Sequence, residues 1–163
     1  MSNENKTLSR GAQKVQHVLA EKGLTCEVVE LSSSTRTAND AANTIGCEVA
    51  QIIKSLLFCS TKTKQPVLVL ASGINRVDEK IIAKWVGEKI IKADADFTRE
   101  VTGFAIGGVS PLGHKQVIPY IFIDEDLLQH QILWAAAGTP NAVFSLNSSD
   151  IEALTHGKVI AIK

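Results

Sequence analysis

Apolar positions at Leu8, Ala12, Val15 and Leu19 recur at the spacing of one helix face, with Ser9 placed to cap that helix and Gly23 to stop it. Cys26–Leu31 reads as a β-like segment and Ser32–Ser34 as a loop. Thr37-Ala38-Asn39-Asp40 has the form of a capping box with a shortened acid. Behind it, Ala38, Ala41, Ala42 and Ile45 make a narrow stripe of small residues that Gly46 ends. Two apolar runs, Ser55–Ser60 and Pro66–Ala71, flank the polar tip Thr61–Gln65 and predict an antiparallel hairpin. Asp78 opens a helix that turns Ile81, Ile82, Trp85 and Val86 inward and stops at Gly87. Asp94 opens a shorter one carrying Phe97 and Val101, ended by Gly103. Val117–Ile123 is a strand in which Pro119 argues for an edge or a bulge. Val143–Leu146 predicts a further strand, Ser149–Thr155 a last helix and Val159–Ile162 a closing strand.

Helices and strands interleave, yet neighbouring strands meet through short turns as often as through helices. The expected class is therefore α/β with a curved, mixed, mostly antiparallel, barrel-like sheet and surrounding helices, rather than a doubly wound parallel sheet. At 163 residues, with no linker, internal repeat or low-complexity segment, a single domain over 1–163 is expected, with 1–6 as a flexible N-terminus.

Composition narrows the function classes. The chain is 45% hydrophobic, enough for an ordinary core. Lys plus Arg equals Asp plus Glu at 17 each, which argues against a general nucleic-acid coat, because non-specific affinity comes from neutralising phosphates. A protein that touches only the end of an RNA needs no more than a few local lysines. Cys26, Cys47 and Cys59 are odd in number and form no CxxC, so buried reduced thiols are expected in place of zinc or a redox disulfide. Met1–Lys6 lacks the apolar core of a signal peptide, and no run reaches the ~18 apolar residues of a membrane span. The expected location is the cytoplasm.

The densest concentration of special residues is Gly103–His114, with four glycines and a proline within twelve positions. Gly107–Pro111 reads as a rigid loop whose bare amides can face a carbonyl or phosphate, or else as a tight turn between strands. Gly108–Lys115 nearly spells a P-loop but fails: His114 displaces the lysine, no Ser or Thr follows, and Pro111 removes an amide. Ser110 has the nucleophile's hydroxyl without an assignable base. Lys54, between Ile52-Ile53 and Leu56-Leu57-Phe58, either snorkels to the surface or holds an ammonium at a pocket edge. Ser72–Arg76, which contains Asn75, and Gly138-Thr139-Pro140-Asn141 read as turns; the latter would alternatively wall a pocket with Thr139 and Asn141. His17, His114, His130 and His156 show no common ligand spacing, and only His114, just beyond the loop, stays a candidate.

Taken together, Thr37–Ala42, Gln51–Leu56 and Gly107–Gly113 resemble the YbaK family of aminoacyl-tRNA deacylases, a domain that also occurs as the editing insertion of bacterial prolyl-tRNA synthetases. Ala71–Arg76 and Ala136–Asn141 resemble a branch of small stand-alone members, and the similarity spans the first helix to the last strand. The resemblance implies a compact α/β fold and hydrolysis, in trans and without metal or cofactor, of the ester joining a wrong amino acid to the terminal adenosine of a tRNA. It implies the tRNA acceptor end as partner, commonly of tRNA(Pro), and prolyl-tRNA synthetase as a second partner. Lys54 matches the family lysine that lines the substrate site, and Gly107–Pro111 the family's Gly-x-x-x-Pro loop.

On this resemblance the expected catalytic set is Lys54, Gly107, Gly108, Val109, Ser110 and Pro111. The amides of Gly107–Ser110 would take the carbonyl oxygen, and Lys54 the terminal phosphate or the developing charge. Thr37, Asp40, Asn75, Gly113, His114, Gly138, Thr139 and Asn141 are the expected substrate-binding residues. Alanine, cysteine, serine and threonine remain open as the misplaced amino acid, because the Gly-Thr-Pro-Asn segment departs from cysteine-directed members. A non-catalytic module that binds aminoacyl-tRNA or a synthetase, and a serine- or cysteine-dependent hydrolase, stay open as alternatives.

Overall fold

The computed structural model describes residues 8–24, 26–31 and 37–163. The flexible stretch expected at 1–6 and the Ser32–Ser34 loop lie outside the described residues. The helices are α1 (Arg10–Glu21), α2 (Ala38–Ile45), α3 (Glu79–Val86), α4 (Ala95–Thr102) and α5 (Ile151–Thr155). The strands are β1 (Val29–Glu30), β2 (Ile52–Ser60), β3 (Pro66–Ser72), β4 (Ile90–Lys92), β5 (Tyr120–Asp124), β6 (Ile132–Ala136), β7 (Ala142–Asn147) and β8 (Lys158–Ile160). The α/β class and the mixed sheet follow the expectation. The sheet runs β1-β7-β6-β2-β3-β5-β8, with β4 also on β2, and among the described strands it stays open. Four pairings are antiparallel (β1·β7, β2·β3, β2·β4, β6·β7) and three parallel (β2·β6, β3·β5, β5·β8).

Local chemistry explains the helix boundaries. The Thr37 hydroxyl accepts the Asp40 amide at 3.0 Å, the Asp78 carboxylate that of Lys80 at 3.0 Å, and the Asp94 carboxylate that of Phe97 at 2.8 Å. Ser9 occupies the cap position of α1 without a side-chain cap bond.

Strand β3 alternates between two cores. Leu68 and Leu70 pack with Val15, Leu19, Val101 and Phe104 beneath α1 and α4. Val67, Val69 and Ala71 pack with Ile82, Phe122 and Ile160 on the α3 side. Both faces of this strand are therefore covered, which is why it reads as an unbroken apolar run. A smaller cluster sets α2 through Ala41 and Ala42 against Ile52.

Four expectations are corrected. Trp85 is 48% exposed, because Ile82 supplies the inward face of α3 while the indole lies against Phe122 with the Lys158 ammonium 4.6 Å from its centre. Val117 is 91% exposed; β5 begins after Pro119 and is paired on both sides, so the proline ends the approach and marks no edge. Cys26 and Cys47 are only half-buried, and Cys59 alone is buried. Strand β6, over Ile132–Ala136, occupies the stretch read as small residues entering a turn.

Candidate active site

Strand β2 changes partner along one edge. That edge pairs with β6 at Ile52 and Ile53, and with β4 from Phe58 to Ser60. Between them the Leu57 carbonyl accepts the Ala93 amide at 3.1 Å. Lys54, Ser55 and Leu56 thus keep their β3 partners on one side and face a gap on the other. Strand alternation puts Lys54 with Leu56 and Phe58 on one face and Ser55 with Ile53 and Leu57 on the other. A cavity of about 800 Å³ opens at this gap and takes residues from both faces of β2. Its wall includes Lys54, Ser55, Thr37, Arg76, Glu79, Lys92, Ile106, Gly107, Val109, Trp134, Ala135 and Ala136. That size is in the range of small-molecule sites.

Lys54 is half-buried, and its Nζ donates to the backbone carbonyl of Asn75 at 2.6 Å. Burial holds its proton affinity below the ordinary lysine value; the Arg76 guanidinium adds to that effect and Asp124 opposes it. The Ser55 hydroxyl oxygen is buried and without a hydrogen-bond partner among the described residues. An unpaired polar atom on a cavity wall is costly unless a ligand supplies the missing bond.

The Gly-Pro loop is held from behind. Gly107 adopts a φ of 93°, in the region that favours glycine. Ser110 is fully buried: its hydroxyl accepts the Leu112 amide at 3.3 Å and its carbonyl accepts Nε2–H of His114 at 2.8 Å. Burial pulls the proton affinity of His114 below the usual imidazole value, against the opposing effect of the Ser110 carbonyl. Gly108 lies directly on the backbone of Thr139.

The structure therefore brings Lys54, Gly107, Val109 and Thr37 to one cavity and leaves the other expected site residues off its described wall. The Gly108 amide is committed to the Ala105 carbonyl at 2.9 Å, whereas those of Gly107 and Val109 have no partner among the described residues. Ser110 and Pro111 are buried supports of the loop. Asp40 serves the first turn of α2 through its amide. The Asn75 side chain points to Asp124 and Asp126 at 2.8 Å each. Gly113 turns against Val18, and His114 ties the loop. Gly138 abuts Gly11 of α1, Thr139 carries Gly108, and the Asn141 carbonyl accepts the Leu31 amide at 2.7 Å. Their segment supports the wall, while Ala135 and Ala136 form it. Sequence reasoning missed Ser55, Arg76, Glu79, Lys92 and Trp134. A polar residue next to Lys54 within an apolar strand was the available signal for Ser55; the other four are brought in by chain reversals.

A family model described as the aminoacyl-tRNA editing domain matches residues 32–154, a span that contains every residue of this wall. The chain belongs to the aminoacyl-tRNA editing domain family. This editing domain is 31% identical over 133 residues to YwhH of Bacillus subtilis (strain 168), covering 82% of this chain and 83% of that one. It is 30% identical over 130 residues to EbsC of Enterococcus faecalis (strain ATCC 700802 / V583), named as a candidate Cys-tRNA(Pro)/Cys-tRNA(Cys) deacylase, with coverage of 77% and 76%. A solved structure described as a candidate trans-editing enzyme for prolyl tRNA synthetase superposes with a TM-score of 0.90 at 44% identity, over 96% of this chain and 99% of that one. Among the described residues no group of His, Cys, Asp or Glu has a metal-holding arrangement, and no helix is long and apolar enough to cross a membrane.

Proposed function

We propose that this editing domain is a trans-acting hydrolase, a single domain in organisation, that removes a wrong small amino acid from tRNA(Pro). The observation that carries the reading is the shared cavity: Lys54, Gly107 and Val109 line one space at the gap in the sheet, and the amides of Gly107 and Val109 have no partner among the described residues. The names of EbsC and of the solved neighbour support an aminoacylated tRNA and a prolyl-tRNA synthetase as partners.

An aminoacyl ester is already activated, so a positioned water suffices once the oxyanion is stabilised. The water oxygen adds to the ester carbonyl, whose oxygen takes the negative charge and the loop amides. Collapse breaks the bond to the ribose oxygen, which leaves with the proton given up by the attacking water, and the free amino acid and tRNA depart. Lys54 meets the terminal phosphate or the developing charge.

The test is single-turnover ester loss from tRNA(Pro) charged with alanine, cysteine, serine or threonine, against a no-protein control. Wild-type protein should accelerate loss for at least one of them, and Lys54→Ala should cut that rate by ~10²–10³ with the fold intact. Binding without ester loss would establish the non-catalytic module instead.

A further inference from the structure

Asp124, at the end of β5, is 1% exposed, and both of its carboxylate oxygens are engaged. Oδ2 accepts the Ser72 amide at 2.9 Å and the Asn75 Nδ2–H at 2.8 Å, and Oδ1 accepts the Asp126 amide at 3.0 Å. Asn75 is itself only 5% exposed. Its amide donates to the Ser72 carbonyl at 2.9 Å, closing the turn, and its Nδ2 also donates to Asp126 Oδ2 at 2.8 Å. The carbonyl of that same residue receives the Lys54 ammonium at 2.6 Å. Burying a carboxylate is expensive unless its surroundings fully pair it. Here three donors do so: the Ser72 amide and the Asn75 Nδ2–H belong to one turn, and the Asp126 amide to the chain just past β5.

We infer that Asp124 and Asn75 are positioning residues for Lys54: the buried carboxylate locks the Ser72–Asn75 turn so that a single carbonyl holds the ammonium at the cavity wall. This rests on the reading of Lys54 as the group that meets substrate. Neither side chain is on the described wall, so both act through the lysine. The other charged groups facing this space are Arg76 on the outgoing chain, Glu79 on α3 and Lys92 on β4. Burial and Arg76 lower the proton affinity of Lys54 and Asp124 raises it, so the buried carboxylate favours the charged lysine as well as fixing the turn that holds it.

The test uses the full chain as Asp124→Asn and Asn75→Ala, with Lys54 followed by its side-chain carbon-13 resonance through a pH titration. In folded Asp124→Asn the titration midpoint of Lys54 should fall, because an opposing charge is gone. In Asn75→Ala the Lys54 resonance should move while those of surface lysines stay. Each variant should lose deacylation on the order of tenfold to a hundredfold. Should Asp124→Asn not fold, the Asn75→Ala resonance decides. A Lys54 signal unchanged in the folded variants overturns the inference, even where activity falls, because the loss is then merely structural. A displaced signal with wild-type hydrolysis upholds the positioning and removes Lys54 from the reaction, a failure of the proposed function alone.

Discussion

Gly108 and Thr139 meet backbone to backbone: a Cβ on Gly108 would lie 2.8 Å from the Thr139 Cα and 2.9 Å from its amide nitrogen. On its far side the same turn touches α1, where Gly138 abuts Gly11. The first helix, the 138–139 turn and the Gly-Pro loop are thus stacked three deep, and the loop behind the cavity sits where α1 puts it. Gly108→Ala must push backbone apart, since no flexible side chain can yield. A loss of about 1–3 kcal/mol of stability is expected, with a drop in ester hydrolysis. Urea unfolding and single-turnover rates check both.

His114 makes stability depend on pH. Its proton affinity in the folded protein lies below the ordinary imidazole value. Below about pH 6.5 the unfolded chain therefore binds the proton first, and stability falls as pH drops toward the lowered folded value. His114→Gln keeps a donor for the Ser110 carbonyl and removes the titration. Melting temperatures at neutral and mildly acidic pH should converge in that variant relative to wild type; an unchanged pH dependence rules His114 out as its source.

Ser55→Ala removes a buried hydroxyl that has no partner among the described residues. Since an unsatisfied buried polar group costs about 1–3 kcal/mol, the variant should be as stable as wild type or more so. Clear destabilisation by denaturant titration would mean that the hydroxyl is bonded in solution.

On the proposed reading no covalent nucleophile takes part. Ser110 is sealed behind the loop, and burial holds the Cys26 and Cys47 thiols toward their protonated, unreactive form. Ser110→Ala and the thiol-alkylated protein should hydrolyse mischarged tRNA at close to the wild-type rate. A collapse of the rate in a folded sample of either would establish nucleophilic catalysis.

The legible part of this fold was what neighbours in the chain decide. Thr37, Asp78 and Asp94 cap the helices expected of them, and Gly46, Gly87 and Gly103 end those helices in left-handed turns. The β2–β3 hairpin has the expected partners, and the family motifs pointed to Lys54, Gly107 and Val109, which line the cavity, together with Gly108, Ser110 and Pro111, which do not. Short strands were harder. Three residues of β4 and the alanine-rich β6 have no strong period of their own and are strands because β2 and β7 pair with them. Trp85 carried a helix-face spacing, yet a neighbouring lysine and phenylalanine satisfy it at the surface.

The amino-acid sequence by itself determined the caps, the breaks and the apolar runs, because each depends on residues adjacent in the chain, and the family, because its short motifs recur in order along it. Only tertiary structure decided which of the loop amides are uncommitted, that Asn75 turns its side chain to Asp124, and that the cavity lies where β2 passes from β6 to β4. Those outcomes depend on contacts between distant segments, such as Asn75 with Asp124 and Gly108 with Thr139, for which local spacing carries no signal.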